Sequence, residues 1–179
     1  MSNYFYETDF QAKNAQEKYD YDRAVMVFEE IYSAFTGCTI EYKETPDNSI
    51  ADMRYTIRGN TRVRKYVGEI KHRNKEYQEG FSFPLLVRKY TGLKRFKEKD
   101  EKLFYLSIHL NMWALFDLDN LDLNKCEIKD WYIKDVQYSD CTHKSWQPTI
   151  FIPITQAKIT GKCLNGIPIV TNKDNSYIN

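Results

Sequence analysis

The chain has 179 residues, 42% hydrophobic and 15% aromatic, with 14 Tyr and 10 Phe. That composition excludes a disordered or low-complexity protein and suits one domain, residues 1–179, with a core of its own. No apolar run approaches the ~20 residues needed to cross a bilayer, and the opening "MSNYFYETDF" has no basic stretch leading into an apolar one, so neither a membrane protein nor a secretory leader is expected. The net charge of +1 conceals an asymmetry: residues 54–99 carry 14 Lys and Arg against 4 Glu, an excess of +10, which leaves −9 for the remainder. A charge divided in this way points to a polyanionic partner, or to basic side chains coating an exposed hairpin and helix.

Taken in chain order, the first predicted element is a helix from about Glu17 to Phe35. Ala24, Val27, Phe28, Ile31 and Phe35 recur at helical spacing, and Gly37 stands where the helix should end. The run "CTIEYKE" reads as a strand, followed by the turn "TPDNS". Two more strand-like runs, "SIADMRYTIR" and "RVRKYVGEIKHR", flank Gly59-Asn60 and predict a tight hairpin. "FSFPLLVRKYTGLKRF" reads as a helix starting near Pro84, and "KLFYLSIHL" and "MWALFDL" as strands. The rest, with "CEIKDWYIKDV" and "TIFIPITQAKI", reads as further strands and loops. The expected class is therefore mixed α/β, a central mixed sheet with a helix on either face.

Cys38, Cys126, Cys141 and Cys163 show no C-x-x-C spacing, which predicts reduced thiols in a cytoplasmic protein. Cys141-x-His143 lacks a second pair at zinc-ligand spacing and is read as loop. No Walker loop, glycine-rich dinucleotide fingerprint or Ser/His/Asp signature is present.

The hairpin carries the chemistry. With a two-residue loop Asp52 lies diagonal to Glu69, and with a four-residue loop it faces Glu69 directly. Either register puts Asp52, Glu69 and Lys71 on one face, with directly opposed Cβ atoms ~5 Å and diagonal ones ~7–8 Å apart. Two carboxylates so close repel, and a divalent cation offsets that cost. Carboxylate oxygens suit Mg²⁺, with Mn²⁺ able to substitute. A lysine beside the pair supplies positive charge where an attacking water or a phosphate would sit. Ile70, between Glu69 and Lys71, points to the opposite face and can anchor the strand.

Asp52 followed by Glu69-Ile70-Lys71, on a hairpin behind a helix, resembles the PD-(D/E)XK nuclease superfamily over about residues 17–118, with 119–179 as a C-terminal extension. The resemblance implies an αβββαβ core of restriction-endonuclease-like fold. It makes Asp52 and Glu69 metal ligands, the Ile70 carbonyl an extra ligand, and Lys71 the residue that orients or activates water. It adds a glutamate from the first helix, with Glu29 and Glu30 both eligible and Glu30 preferred because it lies at the edge of the buried face. "GEIKHRNKEYQEGFSFPLLVRKYTGL" is similar to a subgroup, frequent in phages, whose helix bears Lys-Tyr-x-x-Leu, here Lys89-Tyr90 and Leu93. In that subgroup Lys89 projects toward the active site or a phosphate. The pattern departs from the family in having Ala51, not Pro, before Asp52; the literal Pro46-Asp47 falls in a turn.

Arg54, on the Asp52 face, is a phosphate-contact candidate. His72 faces away and is expected at the surface, whereas His109 is expected in the core. Tyr90 and Trp113 are candidates for base stacking, with core packing as the default. The expectation is a Mg²⁺-dependent nuclease acting on nucleic acid, DNA first, with a homodimer left open. Beside it stand a non-catalytic nucleic-acid-binding or phage accessory protein, and a regulatory protein in which the charged residues form only an ion-pair network.

Overall fold

A computed structural model of the chain describes residues 3–32, 37–45, 49–133 and 145–169. Helix α1 spans Asn3–Tyr32. It starts well before the predicted Glu17. The apolar stripe begins only at Ala24, but no Gly or Pro interrupts the preceding residues, so nothing in the backbone stops the helix there. Ala24, Val27, Phe28 and Ile31 are its buried stripe. Phe35, Pro46-Asp47 and Cys141-x-His143 lie outside the described residues. Gly37 has φ +81°, a left-handed backbone that glycine adopts at little cost.

Strand β1 (Thr39–Glu44) pairs antiparallel with β2 (Met53–Arg58), and β2 with β3 (Val63–His72). Met53 faces Gly68 and Arg58 faces Val63, so the hairpin has the four-residue loop Gly59–Arg62, closed by the Gly59 N–H donating to the Arg62 carbonyl at 2.9 Å. Of the two registers the sequence left open, this one sets Asp52 directly opposite Glu69.

The chain then leaves the sheet through β4 (Phe83–Leu86) and helix α2 (Val87–Phe96), and returns as β5 (Glu101–Ile108), parallel to β3. The predicted helix start at Pro84 is corrected: residues 83–86 form an edge strand. Proline has no N–H to give to a ladder but is tolerated at an edge, and β4 pairs on its other side with β8. Strands β6 (Met112–Asp117), β9 (Ala157–Leu164) and β10 (Ile167–Pro168) extend the main sheet to the order β1-β2-β3-β5-β6-β9-β10. Strands β7 (Glu127–Ile133) and β8 (Ser145–Ile152) join β4 in a second sheet, β4-β8-β7.

The expected α/β class with a helix-flanked αβββαβ core is therefore corrected. The described chain is mostly β, with ten strands in a curled seven-stranded sheet and a three-stranded sheet, and only two α-helices. The error lies in the tail, whose strands complete both sheets. One face of the large sheet packs on α1 through Met53, Tyr55, Ile57, Ile70, Phe104 and Leu106. The other face is covered jointly by α2 and the small sheet, through Val67, Leu85, Tyr90, Leu93, Tyr105 and Ile150.

Side-chain alternation along a strand sends neighbours to opposite faces. Ile70 is buried on the α1 side, while Val67 packs on the α2 side together with Glu69 and Lys71, which share its parity. Gly68, beside Glu69, admits no side chain: an added Cβ would lie 2.1 Å from the Phe104 carbonyl oxygen of β5. No described helix is long and apolar enough to cross a membrane.

Candidate active site

Asp52 immediately precedes β2 and prolongs its ladder, its N–H donating to the Gly68 carbonyl at 2.9 Å. One step on, past the end of β2, the side chain takes over: Asp52 Oδ2 accepts the Ile70 backbone N–H at 2.8 Å. That bond fixes the carboxylate against β3 and turns Oδ1 toward α2. Glu69, only 1% exposed, comes up from β3 beside it. Lys71 lies 2.7 Å from Glu69 Oε1, with its side chain 49% exposed, so the site opens to solvent on that side.

Helix α2 closes the other side. Tyr90 and Leu93 bury its inner face, and Lys89, next to Tyr90, reaches into the site. Its Nζ lies 2.6 Å from Glu69 Oε2 and 3.3 Å from Asp52 Oδ1, with the side chain 20% exposed. Two carboxylates and two ammonium groups thus form one cluster of zero net charge. Burial pushes the Glu69 carboxyl up; Lys71 and Lys89 pull it back and Asp52 pushes it further, and it stays above the ordinary carboxylate value. Burial alone would lower the Lys71 ammonium, but Glu69 and Asp52 outweigh it and hold Lys71 above its usual pKa.

Comparison of the chain with protein-family models, with curated proteins and with solved structures found no match.

Among the described residues no group of three or more His, Cys, Asp and Glu side chains could hold a metal. Side-chain ligation would rest on Asp52 and Glu69 alone, with the Ile70 carbonyl as the backbone ligand that the resemblance implies. The donors are hard oxygens, and both carboxylates already converge on a single cation, the Lys89 ammonium. That convergence fits a Mg²⁺ ion, which takes one or two carboxylates and keeps several waters.

Other expected residues are placed differently. Glu30 is buried on α1, and burial followed by the Glu30 charge pushes the Cys163 thiol up to about 12. This puts Glu30 with β9 on the α1 side of the sheet, away from the Asp52 face; Glu29 is exposed. Arg54 shares the Asp52 face, but its Nε lies 2.8 Å from Glu101 Oε1 and its guanidinium 4.4 Å from the Phe96 ring centre. Its guanidinium joins β2 to β5 and α2. His72 is not a surface residue: its ring packs edge-on to Tyr19 and lies 4.0 Å from Asp20. Tyr90 and Trp113 are both buried and serve packing.

Two residues at the site were not singled out from sequence. Tyr105 of β5 lies opposite Glu69 in register and donates its hydroxyl to the Pro84 carbonyl at 3.1 Å. Arg73 continues the Glu69–Lys71 parity, and its Nη2 donates to the same carbonyl at 3.0 Å and to the Tyr105 hydroxyl at 3.3 Å. Among the described residues Arg73 has no carboxylate partner, and its Nε is buried without a hydrogen bond. The parity of "GEIKHR" was the signal that could have found it.

Proposed function

We propose that this chain hydrolyses phosphodiester bonds in nucleic acid, DNA in the first instance, with Mg²⁺ or Mn²⁺ held by Asp52 and Glu69. The observation that carries the reading is the convergence of these two carboxylates on one cation position, 2.6 and 3.3 Å from Lys89 Nζ, with Lys71 beside them on the solvent-open side. It is a likeness of site to the PD-(D/E)XK nucleases, not of overall fold.

A bound divalent cation would neutralise charge developing on the phosphate and acidify a bound water. The chain supplies the rest. Asp52 is oriented by the Ile70 N–H. Lys71, an ammonium paired with Glu69, is a hydrogen-bond donor and not a base; its role is to orient the attacking water or steady a phosphate oxygen. Arg73, one step further along the same face and without a carboxylate partner among the described residues, would meet a second phosphate oxygen.

Incubating the protein with plasmid, linear duplex and single-stranded DNA, in Mg²⁺, Mn²⁺ or EDTA, tests this. Cleavage with metal, absent in EDTA and absent in Lys71→Ala, is expected. No cleavage of any substrate in either metal overturns it.

One observation favours a second reading: the four charges already balance without a metal. On that reading the cluster is a structural ion-pair network and the protein a non-catalytic nucleic-acid-binding or accessory protein. Retained nucleic-acid binding with no metal binding by calorimetry would select it.

A further inference from the structure

The Lys89 ammonium stands where a divalent cation would have to sit. It touches both carboxylates, whereas Lys71 touches Glu69 alone. Two cations cannot share that point, because the repulsion would be added in a poorly solvated place. Glu69, at 1% exposure, cannot go without one either, since an unpaired buried carboxylate is costly. Lys89 reaches the site on a flexible four-carbon stem and keeps 20% of its side chain in solvent, so it has a way out. The ion-pair network and the metal site are then two states of one cluster.

We propose that Lys89 is a built-in competitor of the metal. The cation enters by displacing the ammonium from between Asp52 and Glu69, and the displaced amine becomes free to meet a substrate phosphate. This rests on the assignment of Asp52 and Glu69 as metal ligands. Linkage then makes metal loading and phosphate binding mutually reinforcing, since each favours the same outward position of Lys89. The metal-free protein is held in a neutral, closed cluster.

The test is calorimetric titration of the metal-free full chain with Mn²⁺, for wild type, Lys89→Met and Asp52→Asn, together with amine acylation of the wild type followed by mass spectrometry. Lys89→Met should bind Mn²⁺ at least tenfold more tightly, and Asp52→Asn at least tenfold more weakly. In the wild type, Mn²⁺ should raise acylation of Lys89 several-fold and leave exposed Lys102 unchanged. The labelling needs no variant, so a Lys89→Met protein that fails to fold does not remove the test. If Asp52→Asn loses Mn²⁺ while Lys89→Met binds like wild type, or if Mn²⁺ leaves Lys89 labelling unchanged, the competitor role is wrong and the metal site stands. If neither wild type nor Lys89→Met binds Mn²⁺ at millimolar concentration, the competitor role and the metal site fall together.

Discussion

Asp52 Oδ2 accepts the Ile70 backbone N–H at 2.8 Å, so one carboxylate does two jobs: it closes the end of the β2–β3 ladder and presents its other oxygen to Lys89. The two jobs separate by substitution. Asp52→Asn keeps an acceptor for the N–H and should change stability by under ~1 kcal/mol, whereas Asp52→Ala strands a buried donor and should cost roughly 1–3 kcal/mol. Urea unfolding of both variants measures the difference. Equal losses would mean the hydrogen bond contributes nothing.

Glu69→Gln should destabilise the metal-free protein. A pair of bare carboxylates would be relieved by losing one charge, which is what the sequence suggests. In the structure each oxygen of Glu69 carries an ammonium, at 2.7 and 2.6 Å. Removing that carboxylate leaves two lysines facing an amide. Because Lys71 and Lys89 can both move partly into water, the expected loss is about 1–3 kcal/mol, below the cost of a fully buried broken pair. A variant as stable as wild type would show that the lysines relax without cost.

Gly68→Ala should be worse than either. The new Cβ would meet the Phe104 carbonyl oxygen at 2.1 Å, which is backbone and cannot rotate aside. Strand β3 would have to separate from its parallel partner β5. A loss of roughly 3 kcal/mol or more, or insoluble protein, is expected, read as a drop in melting temperature. The glycine that opens "GEIKHR" is there for strand packing and not for catalysis.

Acid should weaken the fold through His109. Burial, then the nearby Arg73 charge, lowers its pKa from the ordinary 6.5 to about 4. A hydrogen bond with the Lys75 backbone opposes the shift, the Lys75 and His72 charges add to it, and the ring sits among Tyr77, Phe83 and the Ser107 hydroxyl. Between pH 6.5 and 4 the unfolded chain binds this proton and the folded one does not, so stability falls as pH drops through that window and levels off below it. The difference corresponds to about 3 kcal/mol. His109→Gln should remove most of that slope in unfolding curves at pH 7, 5.5 and 4.5; an unchanged slope would assign it elsewhere.

How much was legible in the sequence follows from what each signal depends on. The Asp52, Glu69 and Lys71 face was readable because parity on a hairpin is local, and both registers kept it. Lys89 could be placed on a helix but not between the carboxylates, because that depends on how closely α2 packs against the residues before β2. The surroundings of Glu30 and Arg54 were hidden for the same kind of reason. The long-range partners, β9 beside α1 for Glu30 and Glu101 for Arg54, are far away in the chain. The fold class was lost in the tail, where strand-like runs predict strands but not which sheet they enter.

Read linearly, residues 54–99 carry +10 and invite a phosphate backbone along their whole length. Folding redistributes that charge. Arg54 pairs with Glu101, Arg58 with Glu41, Lys65 with Asp100, Lys97 with Asp119 and Lys89 with Asp52, all acids from outside the stretch. Among the described residues, exposed Arg62, Arg64, Lys75, Arg88, Arg95 and Lys99 form no ion pair. Only such uncommitted charges release counterions when they meet phosphate. Contact with ~3–4 phosphates would give a log–log salt slope near −3 to −4 on duplex DNA. Charge reversal at Lys75 or Arg88 should therefore lower both affinity and slope, while Arg58→Glu or Lys65→Glu should do less. Anisotropy titrations in calcium, at several salt concentrations, on duplex DNA, single-stranded DNA and RNA, measure this apart from cleavage. Equal effects from paired and unpaired positions would mean the ion pairs open on binding, and no binding at low salt would remove nucleic acid as the partner of this surface.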